Sequence, residues 1–227
     1  MKMNLRTILI TILILATIAA CAAPRPTTTP IPSATLTTEP TIPAATSTVS
    51  TPNTSPTPCV LSPIIVPTRP AQTPPSLQLD PTTGLHMTGI PQEIDLASYR
   101  LKVTGKVDRP LSLTYDDLRC MPKIRTTDAP LICAGYFEDG ATWAGASLEY
   151  VLELAGLQAD AGTISLVGDD RYSASVTLLQ ARLGNNYLAY EWHDQPLPIL
   201  HGFPVRAVFS ALPGNKWVKW LVEIKVE

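Results

Sequence analysis

No one sign of charge dominates this chain. Its 17 basic and 19 acidic side chains leave a net charge of −2, so neither a nucleic-acid surface nor a polyanion-binding surface is expected. The longest apolar run is short for the roughly 20 residues that a membrane-spanning helix needs. No G-x-G-x-x-G and no G-x-x-x-x-G-K-[ST] word occurs, which leaves the common nucleotide-binding folds without support. There is no internal repeat, and only three histidines and four cysteines are available for metal or redox chemistry.

The amino-terminal end is organised as an export signal. Lys2 and Arg6 precede the apolar run Ile8 to Leu15, and small residues then lead to Ile18-Ala19-Ala20-Cys21. The pattern predicts a lipoprotein signal peptide over residues 1–20, with Cys21 as the lipidated first residue of the mature chain. The alternative is a single membrane anchor, for which the run is short. Both readings put the globular part outside the cytoplasm, and the first predicts lipid anchoring to the cell membrane.

Residues 21–75 are Thr, Pro, Ser and Ala with almost no charge and no aromatic side chain. Such a segment buries too little apolar surface to offset the entropy of ordering, and is predicted to be a disordered tether. Proline keeps it locally extended at about 3.1 Å per residue.

Composition shifts at Ser76, and residues 76–227 read as one domain with room for a core. Leu101 to Val103 and Leu111 to Leu113 are predicted strands flanking the turn Asp108-Arg109-Pro110. Thr114 caps a short helix, and Ser147 opens a longer one in which Leu148, Val151, Leu152 and Ala155 recur at helical spacing before Gly156. Short apolar segments at residues 163–167, 174–178, 187–191, 205–209 and 217–226 complete the pattern. Strands interrupted by short helices, without a regular βαβ alternation, predict an α+β fold built on a mixed β-sheet core.

The chemistry-bearing residues fall in two places. His201-Gly202-Phe203-Pro204-Val205-Arg206 is followed by Gly214-Asn215-Lys216-Trp217-Val218-Lys219-Trp220. These words put an imidazole, a guanidinium and two ammonium groups on short apolar segments, as a multiply anionic ligand requires. The other place is Cys133, in Leu131-Ile132-Cys133-Ala134-Gly135. Taken by itself, Cys133 reads as a buried thiol, as half of a disulfide with Cys59 or Cys120, or as a metal ligand. His86 and His193 stand alone in sequence and read as surface or loop histidines. Trp143 and Trp220 read as core aromatics.

The two words and their separation resemble the molybdopterin-binding core of the sulfite oxidase family, and the resemblance runs from about Tyr99 to Glu227. It implies the sulfite oxidase-type molybdopterin-binding fold and a molybdenum cofactor. Cys133 matches the family's single protein ligand to molybdenum, where a soft thiolate suits the metal. His201 and Arg206 match contacts to the pterin and its phosphate, and Trp217, Val218 and Lys219 match the segment that holds the phosphate end. Asp170 falls where the family has an acidic contact to the pterin ring, with Asp169 as its alternative. With Cys21 lipidated and Cys133 on the metal, Cys59 and Cys120 are left to pair with each other.

The resemblance also has limits. Tyr136-Phe137 follows Cys133-Ala134-Gly135 where the sulfite oxidases continue with Asn and Arg, so the cation that would meet sulfite is missing and another small-molecule substrate is expected. The family's dimerisation domain and haem domain have no counterpart in these residues, which implies a separate electron-transfer partner. Met1 to Arg6 contains no arginine pair of the kind that exports folded, cofactor-loaded proteins. Two readings follow: a membrane-tethered molybdopterin oxidoreductase, or a non-catalytic ligand- or protein-binding module on the same fold.

Overall fold

The computed structural model describes residues 59–227. The predicted signal peptide over residues 1–20, Cys21, and the tether up to residue 58 lie outside the described residues. Among the described residues no helix is long and apolar enough to cross a membrane.

Among the described residues ten strands form two sheets. The first has the order β2-β1-β10-β5-β6, made of β1 (Leu101–Gly105), β2 (Leu111–Leu113), β5 (Thr163–Gly168), β6 (Ser173–Thr177) and β10 (Leu221–Val226). β1 and β10 run parallel and its other pairs are antiparallel, so the sheet is mixed. The second runs β3-β4-β7-β8, with β9 also paired to β7. Its members are β3 (Lys123–Cys133), β4 (Phe137–Ser147), β7 (Asn186–Trp192), β8 (Gln195–Pro196) and β9 (Arg206–Phe209).

The strands follow from their residues. In β5 the side chains of Ile164 and Leu166 are buried while those of Thr163, Ser165 and Val167 are partly exposed, the period of two that a half-buried strand demands. Among the described residues three short α-helices join the sheets: α1 (Tyr115–Arg119), α2 (Leu148–Ala155) and α3 (Leu178–Ala181). Ser147 caps α2 by accepting from the Tyr150 amide, and Gly156 ends it at φ +70°. Leu148, Val151, Leu152 and Ala155 form its buried face. One contiguous apolar cluster takes residues from both sheets and this helix, among them Leu101, Trp143, Val151, Ile164, Phe209 and Ile224.

The β3–β4 hairpin is the main element absent from the sequence reading. β3 lies at the edge of its sheet, where Pro130 is tolerated because the missing donor costs no ladder bond. Its register shifts between Thr126 and Ala129, which breaks the alternation that marks a strand. β4 packs tightly enough against β7 that a Cβ on Gly145 would lie 2.0 Å from the Leu188 carbonyl oxygen, so only glycine fits there.

Residues 59–75, read from composition as tether, lack regular structure but lie along the domain. Cys59 is disulfide-bonded to Cys120, Arg119 donates to the Ser62 carbonyl at 2.7 Å, and Ile64 packs on the core cluster. Few apolar side chains suffice here because a covalent link removes part of the entropy that composition alone would leave unopposed.

Candidate active site

Cys133 ends β3, immediately before the turn through Gly135, which adopts φ +82°. Its thiol is half-buried and packs against Gly214, where an added Cβ would lie 2.7 Å from Sγ. Sγ faces a cavity of about 210 Å³ whose walls include Gly89, Asp170, Trp217, Lys219 and Trp220. The structure therefore brings together four sequence-predicted residues that are far apart in the chain: Cys133, Asp170, Trp217 and Lys219. Asp170 is the acidic residue on the wall, and its neighbour Asp169 is exposed.

A larger hollow of about 430 Å³ lies elsewhere, between Leu61–Ile64 and α1. Its cations are already engaged: Arg100 donates to the carbonyls of Ala97 and Tyr99, and Arg119 to Asp116 and Ser62. The reactive group belongs to the smaller cavity.

Two cations serve it, Lys219 on the wall and Arg206 behind Trp217. Lys219 is buried, donates from Nζ to the carbonyls of Leu200 and Thr88, and lies 4.6 Å from the Trp220 ring centre. Burial, then the Arg206 guanidinium, hold its ammonium well below the usual lysine range. Arg206 is buried against two indoles, 4.5 Å from the centre of Trp143 and 5.7 Å from that of Trp217. It donates to the His201 carbonyl at 3.2 Å, but its Nε has no partner among the described residues. Burial lowers Arg206 to about 10, which leaves it charged at neutral pH. The Cys133 thiol is pushed up by burial and by Asp139, against the pull of Arg206 and Lys219.

His201 is placed differently from these residues. It is 2 % exposed, and Nε2 lies 3.0 Å from Asp80 Oδ2 and 2.9 Å from Thr83 Oγ1 rather than on the cavity wall. Thr83 spends its one hydroxyl proton on Asp80, so this network assigns the imidazole proton to Nε2. Burial and then Lys219 lower His201 to about 4, overcoming the opposite pull of Asp80. Burial pushes Asp80 up, yet the Thr82 amide, His201 and Thr83 together hold it below its usual value.

The sign of the pH effect follows. Between about 4 and 6.5 the unfolded chain binds a proton at His201 that the folded chain refuses. This stability is complete above 6.5 and is lost as pH falls toward 4. Denaturant unfolding at pH 7 and at pH 4 is expected to differ by roughly 3 kcal/mol from this residue, and a His201→Gln variant is expected to lose most of that difference.

Val218 is fully buried, and its amide is engaged within the turn by the Lys216 carbonyl while its own carbonyl accepts from Ala207. Trp217 is tied by Nε1 to the carbonyls of Phe209 and Leu212. Trp143 is a core aromatic, as expected. Trp220 is fully buried with Met87 and Leu200 and also forms part of the cavity wall.

Sequence reasoning missed the partners of the histidines. His86, read as isolated, is clamped by buried Asp139: Nδ1 donates to Oδ1 at 2.6 Å and the backbone amide to Oδ2 at 2.7 Å. Its ring stacks on Phe137 at 4.4 Å. His193 is exposed at a turn, as expected. Asp80, Thr83 and Asp139 lie 53 to 121 residues from their partners, and no local pattern marks such pairs.

The donor set bears on what the cavity suits. Among the described residues no three His, Cys, Asp or Glu side chains converge, so a metal at Cys133 would take one protein sulfur and its other ligands from a bound group. A buried guanidinium with an unpartnered Nε, a buried lysine and a wall carboxylate suit an organic anion that also carries N–H donors. The residues therefore fit an anionic, metal-bearing cofactor in kind. The volume is below the roughly 300 Å³ at which clefts usually enclose a whole ligand, and Thr88 and Gly89 set part of that limit.

Comparison with known proteins gives the same direction. The family described as "Oxidoreductase molybdopterin binding domain" matches residues 86–227. The chain is 29% identical to the uncharacterized oxidoreductase YuiH of Bacillus subtilis (strain 168), over 60% of this chain and 69% of that protein. It is 34% identical to the sulfite oxidase of Arabidopsis thaliana, over 60% of this chain and 44% of that enzyme. It is 37% identical to the mitochondrial sulfite oxidase of Rattus norvegicus, over 59% and 30%. The chain thus spans less than half the length of both sulfite oxidases. Among solved structures, the sulfane dehydrogenase SoxCD from Paracoccus pantotrophus superposes with a TM-score of 0.56 at 26% identity, covering 60% of this chain and 39% of that one.

Proposed function

The chain belongs to the oxidoreductase molybdopterin-binding domain family, and from that membership we propose that it is a molybdenum-cofactor oxidoreductase tethered to the outside of a cell membrane. The observation that carries the proposal is the Cys133 thiol opening into the same cavity as Lys219 and Asp170, with Arg206 buried beneath. When bound, the cofactor supplies a two-electron redox centre suited to oxygen-atom transfer.

The protein's own residues bind and orient. Cys133 gives the metal its one protein sulfur. Asp170 accepts N–H donors of the pterin. Arg206 and Lys219 oppose the phosphate charge, the first as a planar fork and the second as a point charge. Trp217 and Val218 hold the turn that carries Lys219, and His201 stabilises the same wall from behind. Trp143 and Trp217, whose rings meet edge to face, form a corner against which Arg206 rests, and this fixes its direction before any ligand arrives.

Tyr136 and Phe137, next to Cys133, supply no cation for an oxyanion, so the substrate is a small molecule other than sulfite. Electrons pass to or from a separate partner. Cys21 carries the lipid anchor, and the Thr/Pro-rich segment gives the domain its reach from the membrane.

Elemental analysis of the protein purified from its native membrane tests this reading. Molybdenum near one atom per chain is expected. A folded domain without molybdenum would instead favour the non-catalytic binding module.

A further inference from the structure

Residues 77–89 form a small hairpin outside both sheets. Leu77 and Met87 amides donate to the carbonyls of Met87 and Gln78, and Asp80 and Leu85 close the turn at 2.8 Å. Most of this hairpin, including Asp80 and Thr83, precedes the family-matched region that starts at residue 86. Its end nonetheless walls the cavity, through Thr88 and Gly89. A Cβ on Gly89 would lie 2.9 Å from the Trp220 ring and 3.1 Å from Asp170 Oδ2, so this backbone is pressed directly onto the site.

Two carboxylate–imidazole pairs hold the hairpin in place, one in each direction. Asp80 of the hairpin accepts from His201 of the domain, and His86 of the hairpin donates to Asp139 of the domain. Asp139 and Cys133 belong to the same β3–β4 hairpin, where Cys133 pairs with Phe137, the residue on which His86 stacks. Lys219 completes the attachment by donating to the Thr88 carbonyl. The apolar anchor is modest: Leu85 reaches the main core, while Met87 packs in a separate small cluster with Leu200 and Trp220.

We propose that His86 and Asp80 are positioning residues that latch the 77–89 hairpin over the Cys133 cavity, so that the hairpin is a movable wall which opens to admit the cofactor and closes to retain it. The identity of what enters rests on the function proposed above, but the latch does not. Cation donors that meet the hairpin when closed, Lys219 above all, become free for an anion when it lifts. A cavity of about 210 Å³ then widens on the side walled by Thr88 and Gly89.

The test uses the full chain produced in a host unable to make the cofactor. The labelling rate of Cys133 by a maleimide is followed by peptide mapping, with hydrogen exchange of the hairpin measured in parallel. His86→Ala and Asp80→Asn are each expected to speed labelling by about tenfold, the scale of one lost charge-assisted hydrogen bond, and to raise exchange within residues 77–89 while β1, β5 and β10 keep their protection. His86→Asn is expected to restore slow labelling, because its amide nitrogen takes the place of Nδ1. Asp139 is left intact, since its charge acts on the Cys133 thiol directly. Unchanged labelling in both variants would overturn the latch. Faster labelling with protection lost throughout the sheets would also overturn it, by showing a purely structural role. In protein from the native host, the same variants are expected to lose molybdenum faster to a chelator. If that protein holds no molybdenum, the functional proposal fails while the labelling result still decides the latch.

Discussion

Replacing Cys133 by serine is expected to lower the retention of molybdenum under dialysis by about tenfold, because the metal loses its one protein sulfur while its other ligands stay with the bound group. The fold should hardly register the change. Cys133 sits at the end of an edge strand, half-buried, with its sulfur against a glycine. Serine is smaller, fits the same backbone and leaves the core cluster intact. The melting temperature should therefore move by less than about 4 °C, the shift for 1 kcal/mol in a domain of this size. Elemental analysis and a thermal scan on one sample check both halves. Molybdenum retained at the wild-type level would remove Cys133 from the site.

Arg206→Met is expected to give effects of opposite sign on stability and on cofactor retention. Arg206 is 3% exposed, makes one hydrogen bond to a carbonyl, and has no carboxylate partner among the described residues. A buried charge so weakly compensated is a cost to the empty fold, and replacing such groups by apolar residues is often neutral or stabilising by about 1–4 kcal/mol. Methionine keeps the unbranched stem and stacks on Trp143 and Trp217 through its sulfur. The cofactor-free domain should thus melt at the same temperature or higher. Retention of molybdenum under dialysis should fall by about tenfold or more, since a charge-assisted contact to phosphate is lost. A variant that melts lower and retains the metal would make Arg206 a structural residue.

These two variants, with the pH dependence assigned to His201, separate groups that serve the fold from groups that the fold merely tolerates. Lys219 and Arg206 are both buried, both shifted down by burial, and both poorly matched by acidic partners. His201 is buried as well, but it is satisfied by Asp80 and Thr83. Its stability contribution is accordingly present at neutral pH and lost in acid.

Much of the framework was legible in the chain because it is written in local patterns. Short apolar segments set between turn residues gave β5 and β6, helical spacing gave α2, and Ser147 and Gly156 marked its two ends. The cofactor words were legible through resemblance, and the structure brings Cys133, Asp170, Trp217 and Lys219 around one cavity. The β3–β4 hairpin was less visible, since an edge strand with Pro130 and a register shift carries no clean period. The His86–Asp139 and Asp80–His201 pairs were invisible for a different reason. Each joins residues brought together only by the tertiary fold, and a lone aspartate in a Pro- and Thr-rich stretch resembles any turn residue. The placement of residues 59–75 along the domain was likewise hidden by composition, which reports apolar content and not a covalent tie through Cys59 and Cys120.

The central claim is that the sulfur of Cys133 binds a metal held over Arg206 and Lys219. X-ray absorption at the molybdenum edge, recorded on the native protein and on whatever metal remains in Cys133→Ser, tests it most directly. The account predicts one sulfur fewer around the metal in the variant. An identical sulfur count in the two, or native protein with no molybdenum edge at all, would contradict it.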